Sequence, residues 1–358
     1  MNHLQSLRDS LSTAGLDAVL LTHQANRFYI TGFNSSGTDG AALITPKNAY
    51  YLTDSRYTEA AQRVLGQEFE ILQTRAGRGY SAILAELIQK DQLSRVGFED
   101  DAMTVAACNT YRETLPCELT AASELLRKLR QTKDPEEIQA LTEAQRIAEK
   151  ALTHVINDIR PGVSEREIAA RLLYYMLHFG AEDKSFDPIV VSGPNGSLPH
   201  GVPSDRPLQS SEFITIDFGC IYHGYCSDMT RTFALEYATD EMIMVYQTVL
   251  DAQKAGIAAA KEGVTGKEVD AAARKVIESA GYGEYFGHSF GHGVGIEIHE
   301  SPYAASTNDK PLPANAVISA EPGIYIPGKF GVRIEDVIVI KPDGSENLTT
   351  IPKELMIL

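Results

Sequence analysis

Two acidic pairs and one histidine-rich loop stand out as residues able to do chemistry. In Phe213–Phe233 (FITIDFGCIYHGYCSDMTRTF), β-prone runs flank Tyr222-His223-Gly224, which reads as a hairpin turn. Asp217 and Asp228 lie symmetrically about that turn, so a regular register sets them opposite each other with Cβ atoms ~5 Å apart. In Val317–Ile340 (VISAEPGIYIPGKFGVRIEDVIVI), Pro327-Gly328-Lys329 marks a second turn, with Glu321 and Glu335 mirror-placed about Gly328. Like charges facing one another in apolar strands destabilise the pair unless a cation or a shared proton lies between them. Divalent cations would neutralise four such acids. The blander alternative is that each pair faces solvent or is paired with Arg231 and Arg333.

The histidines fall between these hairpins. Gly287–Glu300 (GHSFGHGVGIEIHE) holds His288, His292 and His299, three of the nine histidines in the chain. Imidazole is the commonest neutral metal ligand, and the interleaved glycines let backbone approach another group closely. A lone histidine there would read as a packed residue; three in one glycine-rich loop read as a site. His200 lies in a further loop, Ser192–Arg206 (SGPNGSLPHGVPSDR), and taken alone reads as a turn residue.

Helices must carry these hairpins. Asp134 is a suitable N-cap, Pro135 fits the first helical position, and Glu136 and Glu137 complement the positive helix end. The helix they start runs toward Pro161-Gly162. Ser164 opens another, with Glu167 predicted to complete a capping box and Gly180 to close it. Pro161–Ala170 (PGVSEREIAA) aligns without gaps to Glu262–Ala271 (EGVTGKEVDA), and each copy leads to one acidic hairpin. The pattern predicts an internal duplication. Earlier in the chain, strand-like runs at 17–22, 41–45, 50–53, 68–72 and 95–99 alternate with helical patterns at 56–65 and 80–89. They predict a small α/β domain over residues 1–125, ahead of a second domain over 126–358.

Bulk properties bound the rest. The 358 residues suffice for two domains, and a hydrophobic content of 43% supports a sizeable core. The net charge of −16 disfavours nucleic acid and anionic membranes as partners. No apolar run approaches the ~20 residues of a membrane span, and the first residues do not read as a secretory leader. Cys108, Cys117, Cys220 and Cys226 form no CxxC and read as free thiols, so a cytoplasmic location is expected.

Taken together, LPHG at 198–201, Asp217 and Asp228 with DMTRT, GHSFGHGVG, HE at 299–300, EPG at 321–323 and RIED at 333–336 carry a family resemblance. The chain resembles the M24-type metallopeptidases: Xaa-Pro aminopeptidases, prolidases and methionine aminopeptidases. The resemblance implies an α+β fold, with a C-terminal pita-bread domain (a duplicated, curved antiparallel sheet with flanking helices) after a creatinase-like N-terminal α/β domain. It further implies two divalent metal ions, with Asp217 chelating one, Asp228 and Glu335 bridging both, and His292 and Glu321 completing the other shell. Such an oxygen-rich set suits Mn²⁺ first and Co²⁺ or Zn²⁺ next. A bridging water would be brought to hydroxide near neutral pH, with Glu321 handling its proton. By the same resemblance, His200 and His299 stabilise the tetrahedral intermediate. His288 lines the substrate pocket, and Arg333 orients Glu335.

The resemblance implies a peptide substrate with proline at its second position and a homodimer. Many dipeptide-cleaving relatives carry Arg shortly after the HE motif, whereas Tyr303 stands in that segment here. This difference tilts the expectation toward an Xaa-Pro aminopeptidase acting on longer peptides, with an Xaa-Pro dipeptidase as the alternative. Creatinase shares the fold without the metal shell. A non-catalytic binding module on the same fold would be expected to have lost ligands that this chain retains.

Overall fold

The computed structural model describes residues 2–35 and 39–358, which form two compact units, Met1–Arg130 and Gln131–Leu358. The first unit is built on a six-stranded mixed sheet. Its strands are β1 (Ala18–Leu21), β2 (Ala41–Ile44), β3 (Ala49–Thr53), β4 (Glu70–Gln73), β5 (Arg95–Phe98) and β6 (Glu118–Ala121), in the order β4-β3-β2-β1-β5-β6. Every residue of β1, β2 and β3 is buried, which explains why these runs are continuously apolar rather than alternating. The predicted helices appear as Thr58–Leu65 and Tyr80–Lys90. Helices His3–Ala14, Gln24–Thr31 and Val105–Thr114 and strand β6 were not predicted. Polar residues interrupt their apolar spacing, so packing rather than periodicity defines them.

The second unit pairs helices with antiparallel sheets. Helix Pro135–Val155 begins as predicted: Asp134 accepts from the amides of Glu136 and Glu137, and Glu137 returns a bond to the Asp134 amide. It packs on helix Glu165–His178 around a core that includes Leu152, Ile168, Leu172, Ile216 and Phe218. Helix Asp240–Ala259 packs on helix Gly266–Ser279 around a second core with Val249, Ala273, Phe290 and Ile338. Thr265 and Glu268 form a complete capping box. The predicted box at Ser164 is only half formed: the Ser164 hydroxyl accepts from the Glu167 amide, but the Glu167 carboxylate turns to Arg171 instead of back to the Ser164 amide.

The predicted duplication is visible in backbone pairing. The Gly162 amide donates to Leu208 and the Leu208 amide to Val163; in the other half Gly263 donates to Leu312 and Leu312 to Val264. The bridges Ser164–Pro207 and Thr265–Pro311 complete the match.

Both acidic hairpins form. In the second, Gly323 pairs with Arg333 and Ala320 with Asp336, so the register is centred on Gly328 as predicted, with Glu321 and Glu335 mirror-placed between those pairs. The first differs. Thr230, not Asp228, pairs with Asp217, and Cys226 pairs with Ile221. The turn is His223-Gly224, both at positive φ (48° and 76°), a two-residue connection whose twist suits a hairpin. This moves the register by two residues. Asp217 and Asp228 therefore lie on one face as diagonal neighbours, a relationship that spans about 7–8 Å rather than direct opposition.

Candidate metal centre

Three chain segments converge on one buried cluster. Ligand atoms of Asp228, His292 and Glu335 all lie within 4.8 Å of one another. His292 Nε2 is 3.6 Å from Asp228 Oδ2 and 3.1 Å from Glu321 Oε1. The His292 ring presents Nε2 because its Nδ1 faces the Gly293 carbonyl at 3.1 Å. That contact sets the ring orientation a metal ligand needs. The strand Gly291–Gly293 fits because it has no side chain on either side of His292. A Cβ on Gly291 would lie 2.0 Å from the Ser319 carbonyl oxygen, and one on Gly293 2.4 Å from that of Glu300.

Asp217 joins the cluster through Arg333, whose Nη2 donates to Asp217 Oδ2 at 2.5 Å. Sequence reasoning expected Arg333 to orient Glu335. Instead it holds Asp217 directly and reaches Glu335 through Thr230. Arg333 Nε donates to Thr230 Oγ1 at 3.1 Å, and that hydroxyl donates to Glu335 Oε2 at 2.7 Å. Thr230 is at this junction because it is the cross-strand partner of Asp217, which the predicted register concealed. Arg231 pairs with Asp336, so it does not neutralise either hairpin pair.

The carboxylates are costly as they stand. Burial pushes Asp228 and Glu335 well above the ordinary carboxylate range, and the neighbouring acids push in the same direction. Asp217 is also raised by burial, with Arg333 opposing. Burial would raise Glu321 too, but the His292 imidazole outweighs it and holds the group at about 2. Burial would lower His292, but Glu321 and then Asp228 outweigh it and lift the imidazole to about 9. Among the described residues, Asp217 Oδ1 and Glu335 Oε1 are buried oxygens with no hydrogen-bond partner. Unpartnered carboxylate oxygens beside an inward-facing imidazole are the donor set a hard divalent cation requires. The residues fit the group.

A cavity of about 1090 Å³ opens onto this cluster, lined by Asp217, Asp228, His292, Glu321 and Glu335 together with His200, His288 and His299. The His299 ring centroid lies 4.3 Å from that of His292. His288 lines the cavity but both its nitrogens are engaged: Nδ1 with the Ser289 carbonyl and Nε2 with the Tyr325 hydroxyl, each at 2.9 Å. Burial lowers His288 and His299, which favours the neutral imidazole in each. Tyr325 accepts from Arg333 Nη1 at 2.7 Å, and burial pushes its hydroxyl up to about 12. Tyr325 escaped the sequence reading because it looks like an ordinary strand aromatic. Arg166 and Lys184 on the cavity wall also escaped it, since nothing in their local pattern distinguishes them from surface cations.

Residues 139–342 match the family model of metallopeptidase family M24, and residues 3–132 that of the creatinase/prolidase N-terminal domain. The chain belongs to metallopeptidase family M24. This M24 chain is a divalent-metal-dependent peptidase, and its second unit has the pita-bread fold of that family. It is similar to the structure of an Xaa-Pro dipeptidase from Bacillus anthracis (TM-score 0.94, 43% identity, 99% of each chain covered). It is similar also to an X-Pro aminopeptidase from Thermotoga maritima MSB8 (TM-score 0.93, 36% identity, 100% of each chain). An Xaa-Pro dipeptidase from Pyrococcus horikoshii is 36% identical over 344 residues, 95% of each chain. No helix among the described residues of this M24 peptidase is long and apolar enough to cross a membrane.

Proposed function

We propose that this chain hydrolyses Xaa-Pro dipeptides, with two divalent cations held by Asp217, Asp228, His292, Glu321 and Glu335. The observation that carries the reading is the pair of unpartnered buried oxygens, Asp217 Oδ1 and Glu335 Oε1, beside the inward-facing His292 Nε2. Four carboxylates and one imidazole are an oxygen-rich set that suits Mn²⁺.

When bound, the cations supply Lewis acidity toward the scissile carbonyl and lower the pKa of a water nucleophile. The chain's own residues do the rest. With His292 ligating as a neutral imidazole, which relieves the pull that holds Glu321 at about 2 in the metal-free chain, Glu321 takes up the proton of the attacking water and delivers it to the proline nitrogen. His200 and His299 donate hydrogen bonds to the carbonyl oxygen as charge develops on it. Arg333, Tyr325 and Thr230 fix the carboxylates so that no reorganisation is needed during the reaction.

Kinship with proteins named Xaa-Pro dipeptidase supports the shorter substrate over the longer one inferred from Tyr303. The cavity wall also carries Arg166 and Lys184, each paired with a carboxylate (Asp205 and Asp187), and a free carboxylate following proline would compete for these cations. An Xaa-Pro aminopeptidase is the second reading, favoured by Tyr303 on the same wall and by the Thermotoga maritima similarity. The four free cysteines support a reducing, cytoplasmic setting.

Hydrolysis of Xaa-Pro, Xaa-Pro-Yaa and Xaa-Ala-Yaa with defined metals tests the reading. Faster cleavage of Xaa-Pro-Yaa would select the aminopeptidase, and equal cleavage of the alanine peptide would remove proline selectivity.

A further inference from the structure

Glu165 is fully buried at the start of helix Glu165–His178, and it is not part of the cavity wall. Its carboxylate is a hydrogen-bond hub for a single loop. Oε1 accepts from the Ser192 amide at 2.7 Å, the Ser192 hydroxyl at 2.8 Å and Asn195 Nδ2 at 3.2 Å. Oε2 accepts from Asn195 Nδ2 at 3.2 Å, the Ser204 amide at 3.0 Å and the Ser204 hydroxyl at 2.6 Å. All six contacts come from the two ends of the segment that carries His200.

The duplicated half shows what this position does without a carboxylate. The register that matches Gly162 to Gly263 and Val163 to Val264 matches Glu165 to Gly266. At Gly266 the facing segment settles directly onto the helix: a Cβ there would lie 2.1 Å from the Tyr303 carbonyl oxygen. One half therefore brings its loop down onto a glycine, while the other holds its loop off at the length of a glutamate side chain. The two segments carry His299 and His200 respectively, and both histidines reach the same cavity.

The His200 ring is exposed and has no hydrogen bond to any described residue, so what the fold fixes there is the backbone that carries it. That backbone is pinned at three places: Ser192, Ser204, and the Pro199 carbonyl, which accepts from Arg333 Nη1 at 3.3 Å. We propose that Glu165 is a positioning residue for the reaction, acting through His200 by fixing the loop 192–204 that presents it. This rests on the reading of His200 as the group that stabilises the developing oxyanion.

The test is a double-mutant cycle with Glu165→Gln and His200→Ala, measured on an Xaa-Pro dipeptide with Mn²⁺. Glutamine preserves shape but points an N–H group at donors that need an acceptor. The expected result is a fall in kcat of about 10–100-fold for Glu165→Gln, with Mn²⁺ affinity kept and no further loss in the His200→Ala background. Ser204→Ala, which removes one hydroxyl donor, should give a smaller loss with the same dependence on His200 and covers the case in which Glu165→Gln fails to fold. Losses that multiply with His200→Ala would overturn the proposal, as would a Glu165→Gln enzyme with wild-type kcat. A silent His200→Ala beside a slow Glu165→Gln would overturn it too, by removing the group through which Glu165 acts.

Amide hydrogen exchange on the metal-free protein reads the anchor without turnover. Exchange over 193–203 should quicken about tenfold or more in Glu165→Gln. Unchanged exchange there sinks the proposal even if the chain hydrolyses Xaa-Pro dipeptides. Faster exchange in a chain that cleaves no proline peptide sinks the functional reading and the positioning role of Glu165 together, leaving only the anchor.

Discussion

Arg333 and Asp217 lie 116 positions apart in the chain, on strands of different hairpins, and meet at 2.5 Å with both side chains buried. The ion pair uses only one carboxylate oxygen. Oδ1 of Asp217 has no hydrogen-bond partner among the described residues, and Asp217 lines the same cavity as Asp228 and Glu335. A buried charge is normally satisfied completely. A half-satisfied one beside three other acids leaves an oxygen of the kind a divalent cation takes.

Arg333→Lys should lower divalent-metal affinity or activity by about 10–100-fold. An ammonium cannot span Asp217, Tyr325, Thr230 and the Pro199 carbonyl as the guanidinium does. Calorimetric titration with Mn²⁺ measures this. Wild-type affinity in the variant would show that Asp217 needs no such support.

Asp228→Asn and Glu335→Gln each remove a carboxylate whose ionisation is opposed by burial and by neighbouring acids. Metal-free variants should melt at or above the wild-type temperature. The wild type at a metal concentration 100 times its Kd should gain about 2.7 kcal/mol, and the variants should lose that gain. Calorimetric scans with and without metal check both parts. Metal-free variants that melt well below wild type would contradict the picture of strained carboxylates.

Lys184→Met should raise KM for an Xaa-Pro dipeptide about 3–10-fold and leave an Xaa-Pro amide unaffected, because only the dipeptide presents a carboxylate to the wall. The effect is modest because Lys184 is partly exposed and already paired with Asp187. Equal changes for both substrates would mean the residue acts on packing rather than charge.

Asp336 carries a pH signature away from the cavity. Its carboxylate accepts from Arg231 at 2.8 Å, Asn347 at 2.8 Å, Gln253 at 2.9 Å and Lys353 at 2.6 Å. Burial would raise this group, but Arg231 and Lys353 outweigh burial and hold it below its ordinary 3.8. A depressed folded value stabilises the protein above the unfolded pKa, and that stability is lost as pH falls through the folded one. Asp336→Asn should therefore cost about 3–5 kcal/mol near neutrality, with the gap to wild type narrowing as pH drops below 3.8. Urea denaturation at a series of pH values measures it. A gap independent of pH would refute the electrostatic origin.

Sequence reasoning reached furthest where local chemistry decides the structure. Asp134-Pro135 could start a helix and little else. Pro327-Gly328-Lys329 reads as a turn from its residues alone, which makes Glu321 and Glu335 mirror-placed, and the register agrees. It reached less far at Tyr222-His223-Gly224, where the expected turn centre, midway between Asp217 and Asp228, falls one residue before the one that forms. The structure takes the later one, because His223 and Gly224 together adopt the left-handed pair that a two-residue hairpin needs.

By itself, the sequence determined the kinds of group available: four acids, an imidazole and the turns and caps that put each on a strand or loop. These follow from side-chain chemistry and short-range periodicity, which act within a few residues. Only the tertiary structure decided which groups meet. The Thr230 link between Arg333 and Glu335, the pairing of Arg231 with Asp336 and the grip of Glu165 on the His200 loop all join segments distant in the chain. Such contacts are set by how the two halves of the second unit pack, and no local pattern encodes that.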